Sequence, residues 1–229
     1  GSLITASPSF ESIKSAITPD FLVAIGNSFL IAVAVTIIAL ILHSMCGYAF
    51  ARMNFPGKKP MFTVIISTLM IPVSSILVPL FMICKQLGIT NSYAGILLPA
   101  LFNAYGIFLF RQFYLTFPIS LYESAKIDGC SNLRFIWQIL MPLTKSAMGA
   151  MAVYTFINAW NMYMWPLLVT GSDKMRTVQI GIGMLDSVDS QSITLMIAGV
   201  VLIILPSISI FIAGQKQLIR GMFSGAVKG

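Results

Sequence analysis

Glu123 and Asp128 are the only carboxylates between Asp20 and Asp173, and they share a twenty-residue polar island, Glu123 to Pro142, with Lys126 and Arg134. Set between long apolar segments, this group offers recognition chemistry: a polar knob presented to another protein. A second set lies in the apolar run that follows. Tyr154, Asn158, Asn161 and Trp165 recur at intervals of four, three and four, which places them on one face of a helix, with Trp160 and Tyr163 at its flanks. Sugars bind where aromatic faces meet their C–H surfaces and amides meet their hydroxyls, so this stripe has the chemistry to line a solute path. Packing is the competing reading, because Asn bonds neighbouring membrane helices and Trp anchors at interfaces. His43, beside Ser44, is read as a hydrogen-bonded packing residue in preference to a proton carrier.

The island must be held by its own local structure. Gly129 divides it, because a residue without Cβ takes the left-handed conformation that ends one helix and turns the chain into the next. Glu123 and Ile127 share a face of the first piece, while Phe135, Ile136, Ile139 and Leu140 cluster in the second, before Pro142. The expectation is helix, turn, helix. Asp128 either faces the docking partner or caps the following helix alongside Ser131, and capping is the preferred role.

Around the island the chain is membrane-like. Hydrophobic residues make up 57% and charged residues 9%, and the mean hydropathy is +0.90, which leaves too little polar surface for a water-soluble protein of this size. Five apolar runs approach the roughly 20 residues that a helix needs to cross the hydrocarbon core: Phe21 to Cys46, Met61 to Cys84, Ala94 to Phe110, Lys145 to Pro166 and Ile193 to Ala213. Backbone polar groups cannot be left bare in lipid, so each run is expected to be helical. The fold class is an all-α integral membrane bundle. Pro72 and Pro79 are expected to kink the second run.

Lys and Arg in short loops remain on the cytoplasmic side. One set of segments holds Arg52, Lys58, Lys59, Arg111, Lys126, Arg134, Lys145, Lys216, Arg220 and Lys228; the other holds only Lys14, Lys85, Lys174 and Arg176, together with Glu11, Asp20, Asp173, Asp186 and Asp189. The island and the C-terminus therefore face the cytoplasm, and this asymmetry accounts for the net charge of +7 without a nucleic-acid partner. No Asp, Glu, Lys or Arg falls in the middle of a run, where each would cost about 2.5 to 3.5 kcal/mol. An ion-coupled secondary transporter, which needs such groups or broken-helix ion sites, is the weaker class. A membrane enzyme would need a His, Asp or Glu cluster near one interface, and none is present in the sequence. There is no phosphate-binding loop with Lys-Ser/Thr, so no ATP site is expected in this chain. Cys46, Cys84 and Cys130 match neither a metal site nor a disulfide framework.

The island resembles the cytoplasmic loop of permease subunits of binding-protein-dependent ABC importers, whose motif runs Glu-Ala-Ala, three residues, Gly, nine residues, Ile-x-Leu-Pro. Here the positions are Glu123, Ser124, Ala125, Gly129, Ile139, Met141 and Pro142, with Ser124 and Met141 as the departures. The likeness extends to Tyr48-Ala-Phe-Ala-Arg52, Phe55-Pro-Gly57, Arg111-Gln-Phe113, Trp160-Asn161, Trp165-Pro-Leu167 and Gly225-Ala-Val-Lys-Gly229, and is nearest to the smaller permeases of maltooligosaccharide and glycerol-3-phosphate importers. It implies a type I ABC importer permease bundle and a single transmembrane permease domain over residues 1–229, with a docking (coupling) loop at residues 111–145. It also implies docking of an ATPase through Glu123, Ser124, Ala125, Asp128, Gly129, Ile139 and Pro142. The implied partners are a second permease subunit, two ATP-binding subunits that carry the ATP and Mg²⁺, and an extracytoplasmic solute-binding protein, in a bacterial-type cytoplasmic membrane. This chain itself would bind no cofactor and catalyse no reaction. The implied cargo is a sugar or oligosaccharide, with glycerol-3-phosphate the alternative. The family usually has six helices and this chain five; the opening Gly1-Ser2-Leu3 is read as following a missing upstream helix, with a five-helix variant as the alternative.

Overall fold

The first apolar run begins at a well-formed cap: the Thr18 hydroxyl accepts from the Phe21 amide at 3.2 Å and Pro19 occupies the first helical turn. The computed structural model describes residues 11–182 and 193–224. Gly1-Ser2-Leu3, Asp186, Asp189, Lys228 and the Gly225–Gly229 stretch lie outside the described residues, as does part of the loop that precedes the last run. A short α1, Glu11–Ala16, leads into the 34-residue α2, Pro19–Arg52. Then follow α3, Lys58–Ser67, a 3-10 turn at Thr68–Met70, α4, Val73–Gln86, α5, Tyr93–Leu101, and α6, Ala104–Thr116. The island comprises α7, Ile119–Ile127, α8, Asn132–Phe135, a π turn at Ile136–Leu140 and α9, Met141–Leu143. The chain continues through α10, Lys145–Trp160, α11, Met164–Val169, and α12, Ile193–Ser224.

All five apolar runs are helical, but among the described residues only the first and last form single helices long and apolar enough to cross a membrane: α2 and the Met196–Gln217 part of α12. The second bends by 111° between the 3-10 turn and α4, and the third by 41° between α5 and α6. The large bend falls at Pro72, which cannot donate a backbone hydrogen bond and begins α4 as its N-cap; Pro79 is accommodated inside α4. The fourth run is not the continuous helix expected to Pro166. It ends at Trp160, and α11 restarts at Met164, so that Pro166 falls in a first turn where its missing N–H costs nothing.

α2 is the central post, packed against α6 and α10, and α10 packs in turn on α12. Small residues allow these approaches. A Cβ on Gly47 would stand 2.6 Å from Phe110 Cβ and 2.9 Å from the Arg111 amide nitrogen. Two apolar cores result. One gathers Ile31, Val35, Ile96, Phe156, Trp160, Trp165 and Val169; the other gathers Tyr48, Phe110, Tyr114, Phe135, Ile136 and Leu140 at the island end of the bundle.

Candidate functional site

The island is a knob with a polar outside and an anchored inside. Glu123, Ser124, Asp128 and Gly129 are exposed, and so is Ile127 on the Glu123 side. Gly129 has φ 75°, the left-handed value expected at the turn. Ala125, Phe135, Ile136 and Leu140 are buried in the lower core and Ile139 is half-buried against it, while Pro142 is exposed. The π turn at Ile136–Leu140 lies just before Pro142, which has no N–H to return to the preceding turn. Ser131 caps α8, its Oγ accepting from the Arg134 amide at 3.3 Å. Asp128 takes no part in that cap; it ends α7 through its backbone N–H and its side chain is exposed.

Two elements far away in sequence hold the knob. Tyr48 near the end of α2 donates to Asn132 Oδ1 at 3.0 Å, and its ring packs with Tyr122 and Phe135 at 6.5 and 6.0 Å between centroids. Arg52, one turn further along, donates to Tyr114 O at 2.7 Å and to Phe117 O, tying down the strap between α6 and α7. Arg111 donates to Phe50 O at 3.2 Å. Tyr48, Arg52 and Arg111 are the socket of the island. The spacing of four from Tyr48 to Arg52 sets these two on one face of α2, whereas no spacing in the sequence joins Arg111 on α6 to them.

The stripe on the fourth run is divided by the tertiary structure. Tyr154 and Asn158 stay together, with Asn158 Nδ2 donating to Tyr154 O at 2.7 Å, and both line a cavity of about 190 Å³. Phe102, Asn103, Thr155 and His43 share its wall, and Tyr105 packs on Tyr154 at 5.3 Å. The Thr155 hydroxyl is buried without a hydrogen-bond partner among the described residues. Asn161, at the end of α10, instead accepts from Gln179 at 3.1 Å and lines a different cavity of about 300 Å³, beside Ser207. Trp165 belongs to neither. It is 6% exposed and donates from Nε1 to Gly95 O at 3.1 Å, so it packs in the core that holds Ile96, Trp160 and Val169. The period that sets Trp165 on the Tyr154 face does not cross the break between Trp160 and Met164.

His43 is buried at the bend between α5 and α6, its Nε2 3.0 Å from Leu101 O and 3.2 Å from the Asn103 amide. Nε2 serves one of these groups at a time, donating to Leu101 O when it carries the proton and accepting from the Asn103 amide when it does not, so the ring satisfies backbone freed where the helix breaks. Packing is the role its surroundings support.

Residues 43–222 match the family described as "Binding-protein-dependent transport system inner membrane component". The arabinooligosaccharides transport system permease protein AraQ of Bacillus subtilis is 36% identical over 203 residues, covering 89% of this chain and 72% of the relative. The sn-glycerol-3-phosphate transport system permease protein UgpE of Yersinia pestis is 35% identical over 198 residues, covering 86% and 70%. The lactose transport system permease protein LacG of Rhizobium radiobacter is 35% identical over 202 residues, covering 88% and 74%. In fold, the chain is similar to a crystal structure of a bacterial ABC transporter involved in the import of the acidic polysaccharide alginate, with a TM-score of 0.83 at 20% identity over 93% of this chain and 81% of that one. The island with its Glu123-to-Pro142 motif lies inside the matched stretch, and this chain belongs to the family of inner membrane components of binding-protein-dependent transport systems.

Proposed function

We propose that this chain is one membrane-spanning half of an ATP-driven importer of a neutral sugar or oligosaccharide, paired with a second permease subunit and driven by two ATP-binding subunits that dock on the island. The observation that carries this reading is the two-sidedness of the island: Glu123, Ser124, Asp128 and Gly129 are exposed while Phe135, Ile136 and Leu140 are buried in the bundle. A push on the exposed side is delivered to α2 through Tyr48 and to the end of α6 through Arg52. Closure of the ATPase pair therefore rocks the helices and switches the path between the two faces of the membrane. ATP and Mg²⁺ belong to those partners, and a soluble binding protein delivers the solute. Residues 1–229 act as one permease domain, residues 111–145 as its docking loop, with the island and the C-terminus in the cytoplasm.

The solute reading is supported by relatives whose cargo is an arabinooligosaccharide or lactose. It is also supported by the cavity chemistry, which combines Phe102 and Tyr154 rings with the Asn103 and Asn158 amides and the unpartnered Thr155 hydroxyl. Glycerol-3-phosphate is the second reading, favoured by the likeness to UgpE. Among the described residues neither cavity is lined by Lys or Arg, which a phosphate ester would call for. The test is ATPase activity of the assembled transporter with its binding protein loaded with an arabinooligosaccharide, lactose or glycerol-3-phosphate. Stimulation by a saccharide is expected; stimulation by glycerol-3-phosphate alone overturns the solute assignment, and failure of this chain to retain an ATPase subunit overturns the importer reading.

A further inference from the structure

Three cations from three separate elements gather where α2 ends, α3 begins and α6 ends. Arg52 and Arg111 are half-buried there, and so is Lys58, which lies within electrostatic reach of both. Their hydrogen-bond partners are backbone carbonyls: Arg52 holds Tyr114 O and Phe117 O, Lys58 holds Met53 O at 2.8 Å, and Arg111 holds Phe50 O through Nε. Both Nη groups of Arg111 have no acceptor among the described residues, and none of the three cations is paired with a carboxylate there. Like charges within electrostatic reach of one another repel, so an arrangement of this kind is completed by an anion.

The surroundings say which kind. The Arg111 guanidinium lies 4.2 Å over the Phe62 ring, and Phe50 packs at a tilt against both Phe62 and Phe55, with ring centroids 5.4 and 5.8 Å away. This aromatic floor continues into α3, which has no buried residue and exposes Met61 and Val64 at 52% and 65%. Cations above rings and an open apolar helix below them match an amphiphile, with a phosphate at the polar boundary and acyl chains along α3. Free phosphate shares the head chemistry and would have no use for the apolar part.

We infer that Arg52, Lys58 and Arg111 form a binding site for the headgroup of an anionic phospholipid, whose acyl chains run along the exposed face of α3. The site goes beyond the importer reading and rests on it only for the leaflet, the cytoplasmic one, that supplies the lipid. Because Arg52 also grips the strap into α7, occupancy of this site bears on how firmly the docking knob is held.

The experiment uses the full chain purified with its co-expressed partner subunits, with phosphatidylglycerol and phosphatidylcholine as probes. Native mass spectrometry after exchange into equimolar lipid should show phosphatidylglycerol retained over phosphatidylcholine. The double variant Lys58→Gln, Arg111→Gln should reduce that preference about thirtyfold, roughly fivefold for each cation, while Lys216→Gln leaves it at the wild-type value. Arg111→Lys, which keeps the charge, should retain most of it. Equal retention of the two lipids by the wild type overturns the site without any variant. So does an unchanged preference in the double variant, and displacement of the lipid by millimolar inorganic phosphate assigns the cluster to a soluble anion and overturns the lipid. A transporter that binds the lipid but imports no sugar would leave this site standing and count only against the solute assignment.

Discussion

The Tyr48 hydroxyl on α2 lies 3.0 Å from Asn132 Oδ1 at the start of α8, a hydrogen bond between residues 84 positions apart that joins the central helix to the polar island. Tyr48 is 1% exposed and its ring is wedged between Tyr122 and Phe135, so the contact is both polar and packed. Tyr48→Phe keeps the ring and removes the donor. It should cost about 1 kcal/mol and loosen the island without disturbing membrane insertion. Faster proteolytic nicking within residues 123–135 at unchanged membrane abundance is the expected reading; nicking at the wild-type rate would show that the island does not depend on this bond.

Gly129→Pro should be more severe at the same place. Proline is confined near φ −65°, whereas this residue sits at φ 75°. The turn between α7 and α8 cannot form, so the knob loses its shape while the buried anchor of Phe135, Ile136 and Leu140 remains. Glu123→Lys alters the exposed surface alone. Both variants are expected to insert normally and to lose co-purifying ATPase subunit. Full recovery of that subunit with both would remove the docking role from this loop.

At Gly47 even one methyl is too many. The added Cβ of Gly47→Ala would meet Phe110 Cβ at 2.6 Å and the Arg111 backbone nitrogen at 2.9 Å, neither of which is the movable end of a side chain. Separation of α2 from α6 should cost about 1–3 kcal/mol and lower the apparent melting temperature of the purified complex. An unaltered melting curve would mean that the two helices are not in close contact there.

The divided stripe predicts divided phenotypes. Asn158→Ala and Thr155→Val alter the cavity wall and should change the half-saturation for transport at matched abundance. Trp165→Ala should instead act through stability, on the order of 3–5 kcal/mol for a buried Trp, by emptying its place beside Gly95. A changed solute preference in Trp165→Phe with wild-type stability would restore Trp165 to the pathway and contradict this division.

Orientation is open to chemical labelling. In a background lacking Cys46, Cys84 and Cys130, Lys59→Cys and Lys126→Cys should be shielded from an impermeant thiol reagent added outside intact cells, and Lys174→Cys should react. Labelling in the reverse pattern would place the island outside and remove it from reach of any cytoplasmic ATPase.

Features with a local cause are legible in the order of the residues. Apolar runs dictate membrane helices because lipid offers no partner to a bare backbone. Gly129 marks the island turn because only a residue without Cβ takes φ 75° freely. The Phe135, Ile136 and Leu140 anchor could be read from its spacing because α8 and the π turn present it to one side. Contacts between distant segments follow from packing instead. The helical period that joined Tyr154 to Trp165 has meaning only while the helix continues, and it stops at Trp160, leaving Asn161 in another cavity and Trp165 in the core. The 111° turn at Pro72 is equally hidden, since proline states that a hydrogen bond is missing but not how far the chain then swings. Tyr48 and Asn132, or Arg52 and the strap before α7, meet only because α2 packs beside α6, and no periodicity within one segment encodes a contact between two.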